Sequence, residues 1–230
     1  MRRDPIWLPP TVTMRTQQSA NIIRQERKIL MKRSLTPPFL GSLVAAATLM
    51  LAAGAVAAGE EGVLWNALAE GGKVVMIRHA ATEEASAEVS MNLAEDGDCS
   101  KEQNLTEAGR DQARVLGDRF QDHEVAVDGV LSSQYCRARE TGELAFGRYE
   151  AWNALNLAEA LPADDAEFLM EDVRERMGDF EGDGNLVMVT HRSNINTITF
   201  RQTEPGDIVV VEPDAFGGFT VLGTIAWEVD

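Results

Sequence analysis

Two unbroken apolar runs end abruptly in a histidine. Val74-Val75-Met76-Ile77 leads into Arg78 and His79, and Leu186-Val187-Met188-Val189 leads through Thr190 into His191. Continuous apolar runs of this length, without polar alternation, mark strands covered on both faces, as in a parallel sheet. Gly71-Gly72 and Gly182-Asp183-Gly184 break the chain ahead of each run. Around them the pattern predicts a helical lead-in near 63–68, a polar surface loop over 82–104, and a helix capped by Thr106 with Ala108, Ala113, Leu116 and Phe120 as its apolar stripe. A strand over 125–131 and a helix over 137–146, closed by Gly147, come next. Residues 155–160 fit neither period. A turn over 161–164 opens a helix over 166–177, the strand 186–190 follows, another helix begins within 193–200, and strands over 208–211 and 219–227 finish the chain. Strand and helix in alternation predict an α/β fold, a three-layer sandwich with a mostly parallel central sheet flanked by helices.

The first quarter of the 230 residues has a different texture. Met31-Lys32-Arg33 precedes an uncharged, alanine-rich run over 39–58 that contains Ala55-Val56-Ala57, a small-x-small cleavage pattern. This predicts a secretory signal peptide over 31–57, with an uncleaved membrane anchor as the alternative reading. Residues 1–30, basic and aperiodic, are expected to be an upstream extension, either disordered or the product of a mis-chosen start codon. The folded domain is then 58–230, in a periplasmic or secreted protein.

Setting the leader apart changes the charge. The whole chain carries −16, but the first 57 residues hold eight of its 21 Lys/Arg and two of its 37 Asp/Glu, so the remainder carries −22. Such a surface disfavours nucleic acid as a partner, and an anionic ligand needs concentrated local positive charge. No membrane partner is expected once the signal is removed, and oligomeric state is not readable. Cys99 and Cys136 are the two cysteines. In an exported chain they are a candidate disulfide, and two free thiols are the other reading. Neither a metal nor a cofactor signature accompanies them.

In open parallel sheets, ligands bind at the carboxyl ends of the strands. Those ends carry Arg78 and His79, then Ser132-Ser133 leading to Arg137, then His191. Guanidinium groups match phosphate oxygens and stay charged, while an imidazole can be neutral near pH 7 and act as a nucleophile. The pattern therefore points to a small phosphorylated substrate. His123, in the charged segment Gln121-Asp122-His123-Glu124, reads as structural or inert.

At these residues the chain resembles the histidine phosphatase superfamily, which includes the phosphoglycerate mutase-like enzymes. Arg78-His79-Ala80 is similar to its Arg-His-Gly signature, 105–113 to its helix opening, 131–141 to its second-arginine segment, and 189–195 to its second-histidine segment. The resemblance implies a phosphoglycerate mutase-like sandwich and a phosphatase that hydrolyses phosphomonoesters through a phosphohistidine. It implies His79 as nucleophile, with Arg78, Arg137 and His191 holding the phosphoryl oxygens and Thr82 adding a neutral contact. The phytase-like branch places an aspartate after the second histidine, where this chain has Arg192. The other branch takes its acid from between the second arginine and second histidine. Glu150, Glu159, Asp164 and Asp165 are available there, and Glu159 is the expected acid because it lies just before the turn. A phospho-ligand-binding pseudoenzyme is the alternative, and a mutase is disfavoured by export.

Overall fold

The computed structural model describes residues 59–84, 93–94, 97–214 and 216–227. The expected extension over 1–30 and signal segment over 31–57 lie outside the described residues. Residues 59–69 form helix α1. There follow β1 (Val74–Arg78), α2 (Glu107–Asp122), β2 (Val127–Ser132), α3 (Cys136–Phe146), β3 (Glu150–Ala151), α4 (Ala163–Gly178), β4 (Asn185–Thr190), α5 (Arg192–Thr199), β5 (Ile208–Pro213) and β6 (Phe219–Ile225). Single 3-10 turns lie at Cys99–Lys101, Asn153–Leu155 and Ala158–Ala160.

The strands make one sheet in the order β3-β2-β4-β1-β5-β6. The first four run parallel; β5 is antiparallel to β1, and β6 to β5. Because successive side chains point to opposite faces of a strand, each apolar run feeds two cores. Val75, Ile77, Val187, Val189, Ile208 and Val210 pack with Leu64, Trp65 and Leu68 of α1, Leu116 and Phe120 of α2, and Ala138 and Ala145 of α3. Val74, Met76, Leu186, Met188, Val209 and Val211 pack on the other face with Met170, Val173 and Met177 of α4 and Ile195 and Ile198 of α5. This is the expected three-layer sandwich, and it explains why the runs show no polar alternation.

Several sequence expectations are corrected. The stretch 155–160 holds the end of the Asn153–Leu155 turn and the Ala158–Ala160 turn, and the unexpected strand β3 precedes it, so the strand bearing His191 is the fourth in chain order. Ala108 is exposed; the buried stripe of α2 runs through Gly109, Gln112, Ala113, Leu116, Gly117 and Phe120. Gly109 substitutes for it because α2 lies against backbone there, and a Cβ at this position would sit 1.9 Å from the Ala81 carbonyl oxygen. The 82–104 segment is not wholly a surface excursion. Glu102 is 1% exposed, and its carboxylate accepts the Cys136 N–H at 2.8 Å, at the start of α3.

Candidate active site

The parallel register of β1 and β4 sets Arg78 opposite Thr190. The next residue of each strand is a histidine, so the pairing itself brings the two imidazoles together, with ring centroids 5.4 Å apart. The His79 N–H donates to the Thr190 carbonyl at 3.0 Å, fixing the two strand ends to each other. On the other side of β4, the Ser133 N–H donates to the Val189 carbonyl at 2.9 Å and turns the chain from β2 into α3. Arg137 thereby enters the same crevice from the first turn of α3.

The hydrogen bonds assign the tautomers. His79 Nδ1 lies 2.9 Å from the Ala80 carbonyl oxygen, which can only accept, so Nδ1 carries the proton. Nε2 keeps its lone pair and accepts from Arg137 Nε at 3.2 Å. Burial, then the charge of Arg137, pushes the His79 pKa down to about 3, so the ring is neutral near pH 7. His191 is also held neutral, its pKa lowered well below the usual histidine value by burial first. Arg137 Nη2 donates to its Nδ1 at 3.3 Å, so Nε2 bears the proton and donates to Ser133 Oγ at 2.8 Å. Ser133 in turn donates to Asn156 Oδ1 at 3.2 Å.

Arg137 is the largest fully buried side chain, 2% exposed. Among the described residues no carboxylate forms an ion pair with it, and its Nη1 has no hydrogen-bond partner. Its guanidinium lies over the Tyr135 ring, 4.5 Å from the centroid. Arg78, at the rim, is partly paired. Its Nη1 donates to the Thr203 carbonyl at 2.6 Å and lies 3.6 Å from the exposed Glu204 carboxylate, while its Nε is buried and unpartnered. Burial lowers the pKa of both arginines. Leaving a buried guanidinium without an anion costs several kcal/mol, on the order of that for any buried, unpaired ion. Unpartnered N–H groups from two arginines therefore mark where an anion belongs.

These groups line a cleft of about 200 Å³ together with Thr82, Gln103, Leu157, Glu159, Arg192 and Ser193. All six expected site residues are thus brought together: Arg78, His79, Thr82, Arg137, Glu159 and His191. Glu159 lies in the Ala158–Ala160 turn, exposed toward the cleft mouth. Glu150, Asp164 and Asp165 do not line it. His123 sits at the C-terminus of α2, stacked on Trp65 at 4.4 Å, away from the cleft. Sequence reasoning missed Gln103, Leu157, Arg192 and Ser193 as lining residues, and the Ser133–Asn156 support of His191. Ser193 had a faint signal, two residues beyond His191; Gln103 had none, because a distant contact carries it.

That contact includes a disulfide. Cys99 and Cys136 are bonded, joining the loop that bears Gln103 to the residue before Arg137. A larger cleft of about 760 Å³ opens beside it, between Glu83, Arg110, Arg139 and Tyr149, and contains no imidazole. Size therefore does not choose the site; the convergent chemistry does. Among the described residues no cluster of His, Cys, Asp or Glu suits a metal ion.

A neutral imidazole whose Nε2 lone pair accepts from Arg137, beside guanidinium N–H groups without partners at the carboxyl edge of a parallel sheet, is an arrangement that suits a phosphoryl group. Residues 74–161 match the model of the histidine phosphatase superfamily (branch 1). No curated protein matches the sequence. Among solved structures, the chain is similar to the protein histidine phosphatase SixA in complex with tungstate, at 16% identity and TM-score 0.46, over 67% of this chain and 96% of that one. It is similar to TTHB049 from Thermus thermophilus at 18% identity and TM-score 0.47, over 67% and 99%. A third likeness is to Rv3214 from Mycobacterium tuberculosis, at 16% identity and TM-score 0.45, over 65% and 94%.

Proposed function

We propose that the protein hydrolyses phosphomonoesters outside the cytoplasm through a phosphohistidine on His79. The observation that carries this reading is the buried Arg137, which has an unpartnered Nη1 and donates through Nε to the His79 lone pair. A phosphoryl group entering the cleft satisfies both arginines, and His79 Nε2 attacks phosphorus while Nδ1–H stays on the Ala80 carbonyl. The N–P bond forms as the ester P–O bond breaks, and the leaving oxygen takes a proton from Glu159. Water then gives a proton to the Glu159 carboxylate and attacks phosphorus as the N–P bond breaks, so inorganic phosphate departs, Glu159 is restored as the acid and His79 regains its lone pair. Arg78 and Arg137 stabilise the charge on the equatorial oxygens, with Thr82 as a neutral donor.

His191 requires a proton shift for its part. To donate to a phosphoryl oxygen its Nδ1 must carry the proton, and Ser133 supports that tautomer by turning its hydroxyl to donate to Nε2. The proposed location rests on the signal-like segment 31–57 alone.

Phosphate release from p-nitrophenyl phosphate, with acid-labile trapping of a phosphoenzyme, tests the reading. The wild type should turn over and trap label, and His79→Ala should do neither while keeping its circular dichroism. Glu159→Gln should lose about 10²-fold or more on alkyl phosphates and much less on the activated aryl ester. Phosphate or vanadate binding that depends on Arg78 and Arg137, with no phosphoenzyme formed, would instead favour a binding protein.

A further inference from the structure

The larger cleft, of about 760 Å³, is lined by both residues of the Cys99–Cys136 bridge. The two are unlike. Cys99 is exposed in the 3-10 turn of the long loop, whereas Cys136 is 3% exposed and is the first residue of α3. Arg139, three residues further along α3, lays its guanidinium on the bridge: Nη2 lies 2.9 Å from Cys136 Sγ and 3.5 Å from Cys99 Sγ. Its Nε is buried without a partner, and among the described residues no carboxylate forms an ion pair with it. Sulfur is a weak acceptor, so a cation whose partners are two neutral sulfurs is poorly satisfied. A thiolate in the same place would be its counter-charge.

We propose that the bridge is a thiol–disulfide exchange site, opened by a dithiol reductant that enters the larger cleft, and that its opening loosens the phosphoryl site. A thiolate of the dithiol attacks Cys99, the exposed sulfur; a mixed disulfide forms there as the Cys99–Cys136 bond breaks, and the electron pair leaves on Cys136. Arg139 and the positive end of the α3 dipole stabilise that thiolate, and a stabilised leaving group departs faster. The second thiolate of the dithiol then attacks the dithiol's own sulfur in the mixed disulfide and releases Cys99. The bridge gains two electrons, the dithiol becomes a disulfide, and of its two protons one ends on Cys99 and one in solvent. Glu102 opposes the Cys136 charge, because its carboxylate accepts the Cys136 N–H at 2.8 Å and the Ala94 N–H at 3.4 Å, but the guanidinium touches the sulfur directly. With two negative groups at one residue and the covalent tether gone, the loop releases α3 and draws Gln103 away from the cleft that holds Arg137. This consequence, unlike the exchange itself, rests on the phosphoryl-binding reading above.

The test equilibrates the protein at pH 7 with mixtures of reduced and oxidised dithiothreitol and counts free thiols by maleimide labelling and mass spectrometry. Arg139→Gln should lower the equilibrium constant for reduction about tenfold, a shift of about 30 mV toward more reducing potential, and should slow reduction as well. Arg139→Lys should keep most of the wild-type behaviour. With glutathione in place of the dithiol, the mixed disulfide trapped by acid should map to Cys99. A trapped adduct on Cys136, or an equilibrium that Arg139→Gln leaves unchanged, overturns the exchange site. Inorganic phosphate, followed by calorimetry, should bind the reduced wild type several-fold more weakly and recover on reoxidation; equal affinity in the two forms overturns the coupling to the phosphoryl site. Failure of the oxidised wild type to hydrolyse p-nitrophenyl phosphate is a different result, which removes the phosphatase reading and leaves the thiol and phosphate measurements in force.

Discussion

His79 owes its character to two atoms on opposite sides of one ring. The Ala80 carbonyl holds the Nδ1 proton and Arg137 faces Nε2, so burial and a neighbouring cation both resist a second proton. This has a consequence for stability. In the unfolded chain the ring protonates near the ordinary value of 6.5, whereas in the fold it does so only near 3. Between those values the unfolded state binds more protons, so this contribution to stability is complete above about pH 6.5 and is lost as pH falls toward 3. Urea midpoints of the wild type and His79→Gln, compared at pH 7.5 and pH 4.5, should show the wild type losing ground to the variant at the lower pH. A constant difference between them would mean the ring is not held neutral. The residues that establish this site were legible in the sequence to different degrees. Arg78, His79 and His191 end apolar runs and announce themselves; Ser133 and Asn156 do not, because a serine and an asparagine in a turn look like any other turn until the His191 ring is beside them.

Among the elements, the site depends on how closely α2 approaches the loop after β1. The Ala80 N–H donates to Thr141 Oγ1 at 3.1 Å, the Ala81 N–H to Gln112 Oε1 at 2.8 Å, and the Thr106 N–H to the Ala81 carbonyl at 3.1 Å. Gln112 also donates to the Pro205 carbonyl at 2.7 Å, linking this loop to the one that supports Arg78. Three hydrogen bonds, from α2, its Thr106 cap and α3, thus hold the short strap that follows His79. Gly109 permits the approach, since any Cβ there meets the Ala81 carbonyl. Gly109→Ala should destabilise the protein by about 1 to 3 kcal/mol, the usual range for overpacking against a rigid partner, and should lower kcat through a displaced His79. Denaturant midpoints and single-turnover rates check this; an unchanged midpoint would show that α2 moves away without penalty. The sequence predicted this helix and its Thr106 cap, whose hydroxyl accepts the Gly109 N–H at 2.9 Å. It misassigned the stripe by one position, because an exposed alanine and a packed glycine are distinguished by the neighbour and not by their own polarity.

Across the entire domain, one covalent link crosses the long loop. The Cys99–Cys136 bridge spans a sequence separation of 37, and Glu102 caps the start of α3 within the same loop. Closing a loop of that length is worth about 3 to 4 kcal/mol in the chain-entropy treatment. Reduction with a phosphine, or the paired change Cys99→Ser with Cys136→Ser, should lower Tm and raise KM, because Gln103 and the entry to Arg137 lose their tether. A lowered Tm with unchanged KM would confine the bridge to stability.

The order of apolar and polar residues was enough to establish the layered α/β architecture, the strand ends that deliver His79 and His191, and the acidic surface around a cationic cleft. Hydrophobic periodicity and net charge are properties of the chain read locally or summed, so they survive without coordinates. Other features came from the folded arrangement alone: β5 lies antiparallel against β1, Arg137 is buried with an N–H to spare, Glu159 rather than Glu150, Asp164 or Asp165 reaches the cleft, and Arg192 stands unpaired at its rim. Each of these depends on which distant segments share a boundary. Burial and pairing are relations between residues far apart in the chain, and no local pattern encodes them.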